Sequence, residues 1–391
     1  MNKKFIMNTY SRFDVTFDYG KGCFLYDTNG KKYIDFASGI AVNSLGYGCK
    51  KIENTILNQS KKLLHCSNLY WSEPQIELAQ KLCNNSSFDK AFFCNSGAEA
   101  NEAALKLAKI YAKKNKGDNC TKFIAFKNSF HGRTIGALSL TGQDKYQKNF
   151  TPLMSEVKFA AYNDINSLKE CLDKNVCAIF LEPIQGEGGI IPAKEEFLKE
   201  VRKVCTENNI ALIFDEVQCG MGRCGKLFAH QVYNINPDIV TLAKAIGGGI
   251  PMGAMLANDK FASSFGIGDH ASTFGGNLLA CACANVVVDE ILNTNLLENV
   301  AQMSAYFFEK LNKLKEKYSF IKDVRGLGLM LGIELDTSVK EIVNKAFSEG
   351  LLILSAGSNV VRFVPPLIID KKVADEGFLI LEKVFKNIKG E

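Results

Sequence analysis

Two short apolar runs in the middle of the chain each lead into one charged residue, and the two charges are opposite. Residues 210–214 (IALIF) precede Asp215, and residues 239–243 (IVTLA) precede Lys244. Runs of this length and composition predict buried strands of an α/β sheet. Because ligands in open α/β sheets lie beyond the carboxyl ends of the strands, we expect Asp215 and Lys244 to meet at a ligand site.

The residues around Lys244 are apolar, and this predicts a particular chemistry for the pair. Burial among residues 242–246 lowers the pKa of an amine and favours the neutral nucleophile. A nucleophilic lysine with a buried aspartate is what pyridoxal phosphate chemistry needs, since the lysine forms a Schiff base and the aspartate keeps the ring nitrogen protonated. Taken alone, however, the two residues are better explained structurally, with Lys244 reaching solvent from a loop and Asp215 capping a helix.

Residues 91–113 predict a strand, a tight turn and a helix. The strand is Ala91–Cys94, the turn is 95–97, and the helix begins near Ala98. The first N–H groups of a helix attract anions, and Gly97 and Ala98 are small enough to let a phosphate approach. We therefore predict a phosphate site here, with an ordinary turn between strand and helix as the alternative.

Four further residues are candidates for a site because of their positions. Phe130 and Arg133 share a loop after a predicted strand, where an aromatic ring can stack on a flat cofactor and a guanidinium can bind a carboxylate. Singly, Phe130 is more typical of a core and Arg133 of a surface. Glu187 is flanked by glycines, which favours a site over packing. Arg362 lies in an apolar run and needs an anionic partner, either Glu187 or a substrate carboxylate.

Strands and helices alternate through the middle of the chain, which predicts a mainly parallel sheet with helices on both faces. Residues 22–36 predict a β-hairpin with a type I′ turn at Asn29-Gly30. After an apolar helix near residue 280 the pattern restarts as a smaller α/β unit. We divide the chain into an N-terminal segment that belongs to the small domain (1–45), a large domain (46–285) and a C-terminal small domain (286–391).

Composition narrows the function classes. The 391 residues are 47% hydrophobic and 23% charged, with a net charge of +5 and no basic block, so we expect no nucleic-acid partner. No apolar run approaches the ~20 residues of a membrane span, and the first residues lack a secretory signal pattern. The 13 cysteines form no CxxC pair, which favours buried free thiols in a reducing cytoplasm. The four scattered histidines predict no metal site.

Segments spread over almost the whole chain resemble, in order, those of one known family. They are FASGIAVNSLGYG, HCSNLYW, NSGAEANEAALKLA, SFHGRT, EPIQGEGG, FDEVQCGMGRCGKLFAHQ, PDIVTLAKAIGGGIPMGAML, STFGGNLLACA and VRFVPPLII. On these segments the chain resembles the fold-type I, class III aminotransferases, which use pyridoxal phosphate, and among them the acetylornithine aminotransferases most. The resemblance implies a large domain with a mainly parallel sheet flanked by helices, plus a smaller α/β domain. Tyr47 and Leu278 depart from the family's usual histidine and proline.

The resemblance also implies roles in holding pyridoxal phosphate. The cofactor-binding residues are Gly97 and Ala98 at the phosphate, Phe130 and Val217 on the ring faces, Asp215 at the ring nitrogen, Gln218 at the ring hydroxyl and Lys244 as the Schiff-base lysine. Lys244 would also move the proton between substrate and cofactor. Thr273 would donate to the cofactor phosphate of a neighbouring subunit, which implies a homodimer with shared active sites.

For the substrates, the resemblance implies that Arg133 binds the carboxylate far from the reacting amine and that Ser272 contacts the substrate. Arg362 would bind the α-carboxylate of 2-oxoglutarate, and Glu187 would mask Arg362 while the first substrate reacts. The implied catalytic residues are Lys244, Asp215 and Glu187.

The activity that this resemblance implies is transfer of the δ-amine of N2-acetyl-L-ornithine to 2-oxoglutarate. The products would be N-acetyl-L-glutamate 5-semialdehyde and L-glutamate, a cytoplasmic step of arginine biosynthesis. Ornithine, succinylornithine, succinyldiaminopimelate and 4-aminobutyrate stay open as donors. A catalytically silent binding or regulatory dimer is the alternative from another class, and the intact set of Asp215, Lys244, Arg133 and Glu187 argues against it.

Overall fold

The computed structural model describes residues 3–389, and its largest sheet has seven strands. Across the sheet they are Lys90–Cys94, Gly253–Ala257, Ile239–Leu242, Ala211–Asp215, Val176–Leu181, Lys122–Phe126 and Val157–Ala160. Only Gly253–Ala257 is antiparallel to its neighbours, and the other neighbouring pairs are parallel. The predicted α/β class with a mainly parallel sheet is confirmed.

Both faces of this sheet are covered, which explains why its strands are apolar without alternation. In strand Lys122–Phe126, Ile124 and Phe126 belong to one buried cluster while Phe123 and Ala125 belong to another. The helices before residue 294 are Lys50–Lys62, Glu73–Asn84, Gly97–Lys116, Ile135–Ser139, Asp144–Gln147, Ile165–Cys171, Glu195–Glu207, His230–Tyr233, Asp259–Ala262 and Leu278–Asn293, with 3₁₀ turns at Lys3–Phe5 and Lys244–Gly247.

The smaller sheets combine the two ends of the chain. One contains Phe17–Lys21, Phe24–Asp27, Lys32–Asp35 and Leu351–Leu352; another contains Ile321–Leu327, Met330–Leu335, Val360–Phe363 and Leu354–Ala356; Ile184–Gln185 pairs with Ile191–Pro192. The C-terminal helices are Leu296–Lys317, Lys340–Ser348 and Lys371–Lys389. Because Leu351–Leu352 pairs in parallel with Lys32–Asp35, the N-terminal hairpin shares a sheet with the C-terminal region. The domain limits near residues 45 and 285 stay a prediction.

The N-terminal hairpin forms as predicted, but its turn does not have the predicted type. Strands Phe24–Asp27 and Lys32–Asp35 pair antiparallel, with Phe24 opposite Ile34. A type I′ turn needs positive φ at both central residues, whereas only Gly30 has it, at 81°. Instead, the Asp27 carboxylate accepts the backbone N–H groups of Asn29 and Lys31. The conformation of this turn is therefore stabilised by the Asp27 side chain as well as by backbone hydrogen bonds.

Residues 38–41 form a left-handed turn that leads into the site described below. Their φ angles are 45°, 64°, 66° and 62°, which is costly for the three non-glycine residues. The buried Asp35 carboxylate fixes the turn's start by accepting the N–H groups of Ala37 and Ser38, each at 2.8 Å. Tyr47, the departure from the family pattern, donates its hydroxyl to the other Asp35 oxygen at 2.7 Å. Tyr47 therefore supports the strained turn.

Two sequence-level expectations concern whole-chain properties. All 13 cysteines are free, and Cys94, Cys177, Cys281 and Cys283 are buried, as predicted. Burial raises the pKa of the Cys94 thiol to about 12, so this thiol stays protonated and unreactive. Within residues 3–389, none of the helices combines the length and apolar character that crossing a membrane requires.

Candidate active site

A cavity of about 480 Å³ lies at the carboxyl ends of neighbouring strands of the large sheet. This volume is in the range of small-molecule sites. The predicted residues that line it are Gly97, Ala98, Phe130, Arg133, Glu187, Asp215, Val217, Gln218 and Lys244. These residues are separated by up to 147 positions in sequence (244 minus 97), so their meeting supports a shared site.

Asp215 is the last residue of its strand, and the protein holds its carboxylate with three N–H donors. One oxygen accepts from Asn101 Nδ2 and from His131 Nδ1, both at 2.8 Å, and the other accepts from the Val217 backbone N–H at 3.0 Å. An ionised carboxylate has about four acceptor positions. One position is therefore left for a further donor in the cavity.

Lys244 follows the neighbouring strand and begins a 3₁₀ turn, with φ at 49°. Burial lowers the pKa of its amine, against the opposing influence of the Glu187 charge. This shift favours the neutral amine, the form that can act as a nucleophile or accept a proton. The lowered pKa that the apolar sequence around Lys244 predicts therefore agrees with the direction of the shift in the structure.

One wall of the cavity is closely packed where the predicted phosphate loop meets the segment after Asp215. A Cβ atom on Gly97 would lie 2.9 Å from Val217 Cγ1, so glycine is needed there for Val217 to keep its place. Ser96 caps the 20-residue helix Gly97–Lys116 by accepting the N–H of Glu99. The helix start at the cavity has the N–H groups and the dipole end that attract an anion.

Arg362 is buried, with its side chain 3% exposed, and its partner is Glu187. Its Nη1 atom donates to Glu187 Oε1 at 2.5 Å and to Gln218 Oε1 at 3.0 Å. Burial alone would raise the pKa of Glu187, but Arg362 holds it below its ordinary value. Of the two partners that the sequence left open for Arg362, the structure has Glu187.

Arg133 has a different environment from Arg362. Its side chain is exposed at the cavity, and its guanidinium carbon lies 4.0 Å from the centre of the Tyr146 ring and 5.5 Å from that of Phe130. Aromatic faces attract cations. Among residues 3–389, these two rings and no carboxylate hold this arginine.

Comparison with known proteins agrees with this arrangement. The family described as "Aminotransferase class-III" matches residues 6–385, nearly the whole chain. The chain belongs to the class III aminotransferases. It is 54% identical to an acetylornithine aminotransferase of Clostridium acetobutylicum over 99% of this chain and 100% of the relative.

Two further members give the range of similarity within the class III aminotransferases. A succinylornithine transaminase of Photorhabdus laumondii is 46% identical, over 95% of this chain and 93% of the relative. The crystal structure of the ornithine aminotransferase from Toxoplasma gondii superimposes with a TM-score of 0.95 at 31% identity, covering 99% of this chain and 94% of that one. The fold of this aminotransferase is thus the fold-type I architecture expected from the sequence.

Ser272 and Thr273 of this aminotransferase do not line the cavity. They line adjacent surface pockets instead, and the Ser272 hydroxyl accepts from Asn95 Nδ2 at 3.2 Å and from the Gly275 N–H at 2.9 Å. Asn95 itself lines both the cavity and one of these pockets. The predicted contact of Ser272 with the substrate stays a prediction.

Two polar residues at the aminotransferase site, Asn101 and Glu182, received no role from the sequence. Asn101 bridges Asp215, the His131 carbonyl oxygen and Thr241. Glu182 lines the cavity and accepts the N–H groups of Phe130 and Gly186, each at 3.0 Å, and burial raises its pKa to about 7. Asn101 could have been noticed as a polar residue one turn after Gly97 on an alanine-rich helix face. Glu182 could have been noticed because it lies at the end of a strand, as Asp215 does.

Proposed function

We propose that this enzyme transfers the δ-amine of N2-acetyl-L-ornithine to 2-oxoglutarate, giving N-acetyl-L-glutamate 5-semialdehyde and L-glutamate. The observation that carries the proposal is the Glu187–Arg362 pair beside the cavity of Lys244. If this ion pair can open, one site can accept a donor that has no carboxylate next to its reacting amine, and then an acceptor that has a carboxylate next to its keto group. The relative called acetylornithine aminotransferase is more similar to this chain than the one called succinylornithine transaminase, which favours the acetyl group.

Pyridoxal phosphate fits the residues of the cavity. Asp215 has one acceptor position left for a protonated ring nitrogen, and the buried Nε2 of His131 has no partner within residues 3–389. Gly97 and Ala98 at a helix start would hold the phosphate. Phe130 and Val217 would cover the ring, Gln218 would reach its hydroxyl, and Lys244 would join it covalently. When bound, the cofactor supplies an electron sink for the bond broken next to the amine.

The chain's own residues then divide the remaining work. Lys244, with its lowered pKa, would take and return the proton at the substrate carbon that carries the amine. Asn101 and His131 fix the Asp215 carboxylate, which keeps its orientation during the reaction. Because these donors are buried, the orientation costs no rearrangement at the time of reaction.

The two arginines would distinguish the two substrates. Arg133 would bind the carboxylate far from the reacting amine of the donor, while Glu187 stays on Arg362. The acceptor 2-oxoglutarate has a second carboxylate next to its keto group, and this group would replace Glu187 on Arg362. Exchange of one carboxylate for another leaves the buried guanidinium paired in both states, which avoids the cost of an unpaired buried charge.

We also propose a cytoplasmic homodimer with shared active sites. The surface near Ser272 and Thr273 has exposed apolar side chains: Leu69 is 85% exposed, Trp71 88% and Phe274 61%. Large exposed apolar groups in one region are typical of subunit interfaces. In such a dimer Thr273 would contact the cofactor phosphate of the partner subunit, and Ser272 the substrate.

Steady-state rates over a panel of donors test the proposal. With 2-oxoglutarate fixed, we expect kcat/KM for N-acetylornithine to exceed that for succinylornithine, ornithine, succinyldiaminopimelate and 4-aminobutyrate by roughly tenfold or more. Preference for another donor would contradict the assigned substrate. Lys244→Ala should lower turnover by about 10⁴-fold or more, and the folded variant should keep its melting temperature within a few degrees.

A further inference from the structure

Arg133 differs from three other arginines of this chain, Arg202, Arg325 and Arg362, in what holds its guanidinium. Arg202, Arg325 and Arg362 each have a carboxylate within 3.0 Å. Within residues 3–389, Arg133 has no ion pair and no hydrogen-bond acceptor, and its guanidinium carbon lies 4.0 Å from the centre of the Tyr146 ring. Its N–H donors are therefore available to a substrate.

Tyr146 and Phe130 form an aromatic corner around this guanidinium. Their ring centres are 5.6 Å apart and their planes are nearly perpendicular, at 78°. This edge-to-face geometry is a favourable one for aromatic pairs. Arg133 is close to both rings, so its position depends on how firmly the Tyr146 ring is held.

Two glutamines attach the short segment that carries Tyr146 to neighbouring backbone, and one of them reaches the loop that carries Phe130 and Arg133. Gln143 Nε2 donates to the Ser129 carbonyl oxygen at 3.0 Å. Gln147 Nε2 donates to the Thr141 carbonyl oxygen at 2.8 Å. Tyr146 is half-buried and lies between the two glutamines, so these hydrogen bonds restrain its position relative to the cavity.

We propose that Tyr146 is a positioning residue that orients Arg133 for the distal carboxylate of both substrates. A ring on the face of a guanidinium fixes its plane while consuming none of its N–H donors, so its edge stays free for a two-point bond to a carboxylate. A carboxylate partner would instead have to be displaced, as at Arg362. This inference rests on the proposed function, because it takes Arg133 to be the residue that binds that carboxylate.

The test compares Tyr146→Leu, which removes the ring, with Tyr146→Phe, which keeps it. Two donors are used in parallel: N-acetylornithine, and pentylamine, which has a terminal amine but no carboxylate. For Tyr146→Leu we expect the KM for N-acetylornithine to rise roughly three- to tenfold with kcat within about twofold. The KM for pentylamine should not change, and Tyr146→Phe should stay within about twofold of wild type for both donors.

A double-variant cycle separates orientation of Arg133 from general damage. In an Arg133→Leu background, Tyr146→Leu should raise the KM for N-acetylornithine no further. An equal rise for both donors, an additive rise in the double variant, or no rise at all would overturn the inference. If wild type prefers another carboxylate-bearing amine, the proposed substrate is wrong, and the same comparison with that amine still tests Tyr146.

Discussion

The two arginines at the site show opposite solutions to binding a carboxylate. Arg362 is buried and paired with a carboxylate of its own protein, Glu187, which a substrate would replace in the proposed function. Arg133 is exposed and stacks on Tyr146, with its donors free. Burial makes a permanent anionic partner necessary, because an unpaired buried charge costs several kcal/mol. Exposure removes that need, and an aromatic face then fixes the cation at little cost.

This difference also divides the work between the arginines. An arginine with an internal partner can distinguish substrates, because only a ligand that displaces Glu187 gains the contact. An arginine without one binds any carboxylate that reaches it, in both half-reactions. In the proposed function, Arg362 would thus make a contact with one substrate only, and Arg133 a contact with both.

The largest effect should come from Arg362→Leu, which leaves Glu187 and Gln218 without their buried partner. We expect kcat/KM for 2-oxoglutarate to fall by about 10²–10³-fold and the free energy of unfolding to fall by about 3–5 kcal/mol. Single-turnover rates for each half-reaction and denaturant unfolding measure both. The rate with N-acetylornithine should fall far less.

Adding Glu187→Gln to Arg362→Leu provides the control. Removing both charges should recover most of the lost unfolding free energy but none of the 2-oxoglutarate activity. Equal instability in the single and double variants would mean that Glu187 is not the buried partner that matters.

Arg133→Leu should have a smaller and different effect. Because Arg133 is exposed and has no ion pair within residues 3–389, its loss should change the unfolding free energy by about 0.5 kcal/mol or less. The KM should rise roughly 10- to 100-fold for both N-acetylornithine and 2-oxoglutarate. A rise in KM for only one of the two substrates would contradict the inference that Arg133 binds both.

Glu187→Gln tests the exchange of partners through its pH dependence. The pKa of Glu187 is held low by Arg362, so its ionised form stabilises the fold above the ordinary carboxyl range, and this contribution disappears as the pH falls through the folded-state pKa. The difference in unfolding free energy between wild type and Glu187→Gln should therefore shrink below about pH 4. Arg133→Leu, measured alongside, should show no such trend.

The smallest expected effect is that of ionic strength on the KM for N-acetylornithine. Screening acts mainly on exposed charges, so raising the ionic strength from about 50 to 300 mM should raise the KM for N-acetylornithine by about two- to threefold through Arg133. In Arg133→Leu the KM should be nearly insensitive to salt. Equal sensitivity in both proteins would show that another charge guides the donor.

The sequence predicted the parts of the site that local patterns encode. Asp215 and Lys244 end apolar runs, and Gly97 lies between a strand and a helix, so their positions follow from the sheet itself. The hairpin turn was predicted wrongly because the Asp27 side chain, which is outside the central dipeptide, accepts the turn's N–H groups. A nearby side chain that accepts backbone N–H groups competes with the turn type that the central dipeptide alone would favour.

Other parts could not be predicted because they depend on packing between distant elements. The proposed orientation of Arg133 by Tyr146 depends on two glutamines that attach the Tyr146 segment to the backbone of Ser129 and Thr141. In the sequence, Asn101 is one polar residue of an alanine-rich helix, and its role follows only from the packing of that helix against Asp215. The positions of Ser272 and Thr273 relative to a cofactor involve a second subunit in the proposed dimer, and the fold of one chain does not determine them.

Thr241 helps to determine the register between two neighbouring strands of the large sheet. It is paired with Asp215 across two adjacent strands, and it is the polar residue in the otherwise apolar Ile239–Leu242. Apolar strands covered on both faces carry little information about register, because a shifted pairing buries similar side chains. A slip by one residue would turn Thr241 away from Asn101, to which it donates at 2.6 Å. The bond that completes the Asp215 network thus also marks the correct strand alignment, so misaligned folding intermediates would lack it.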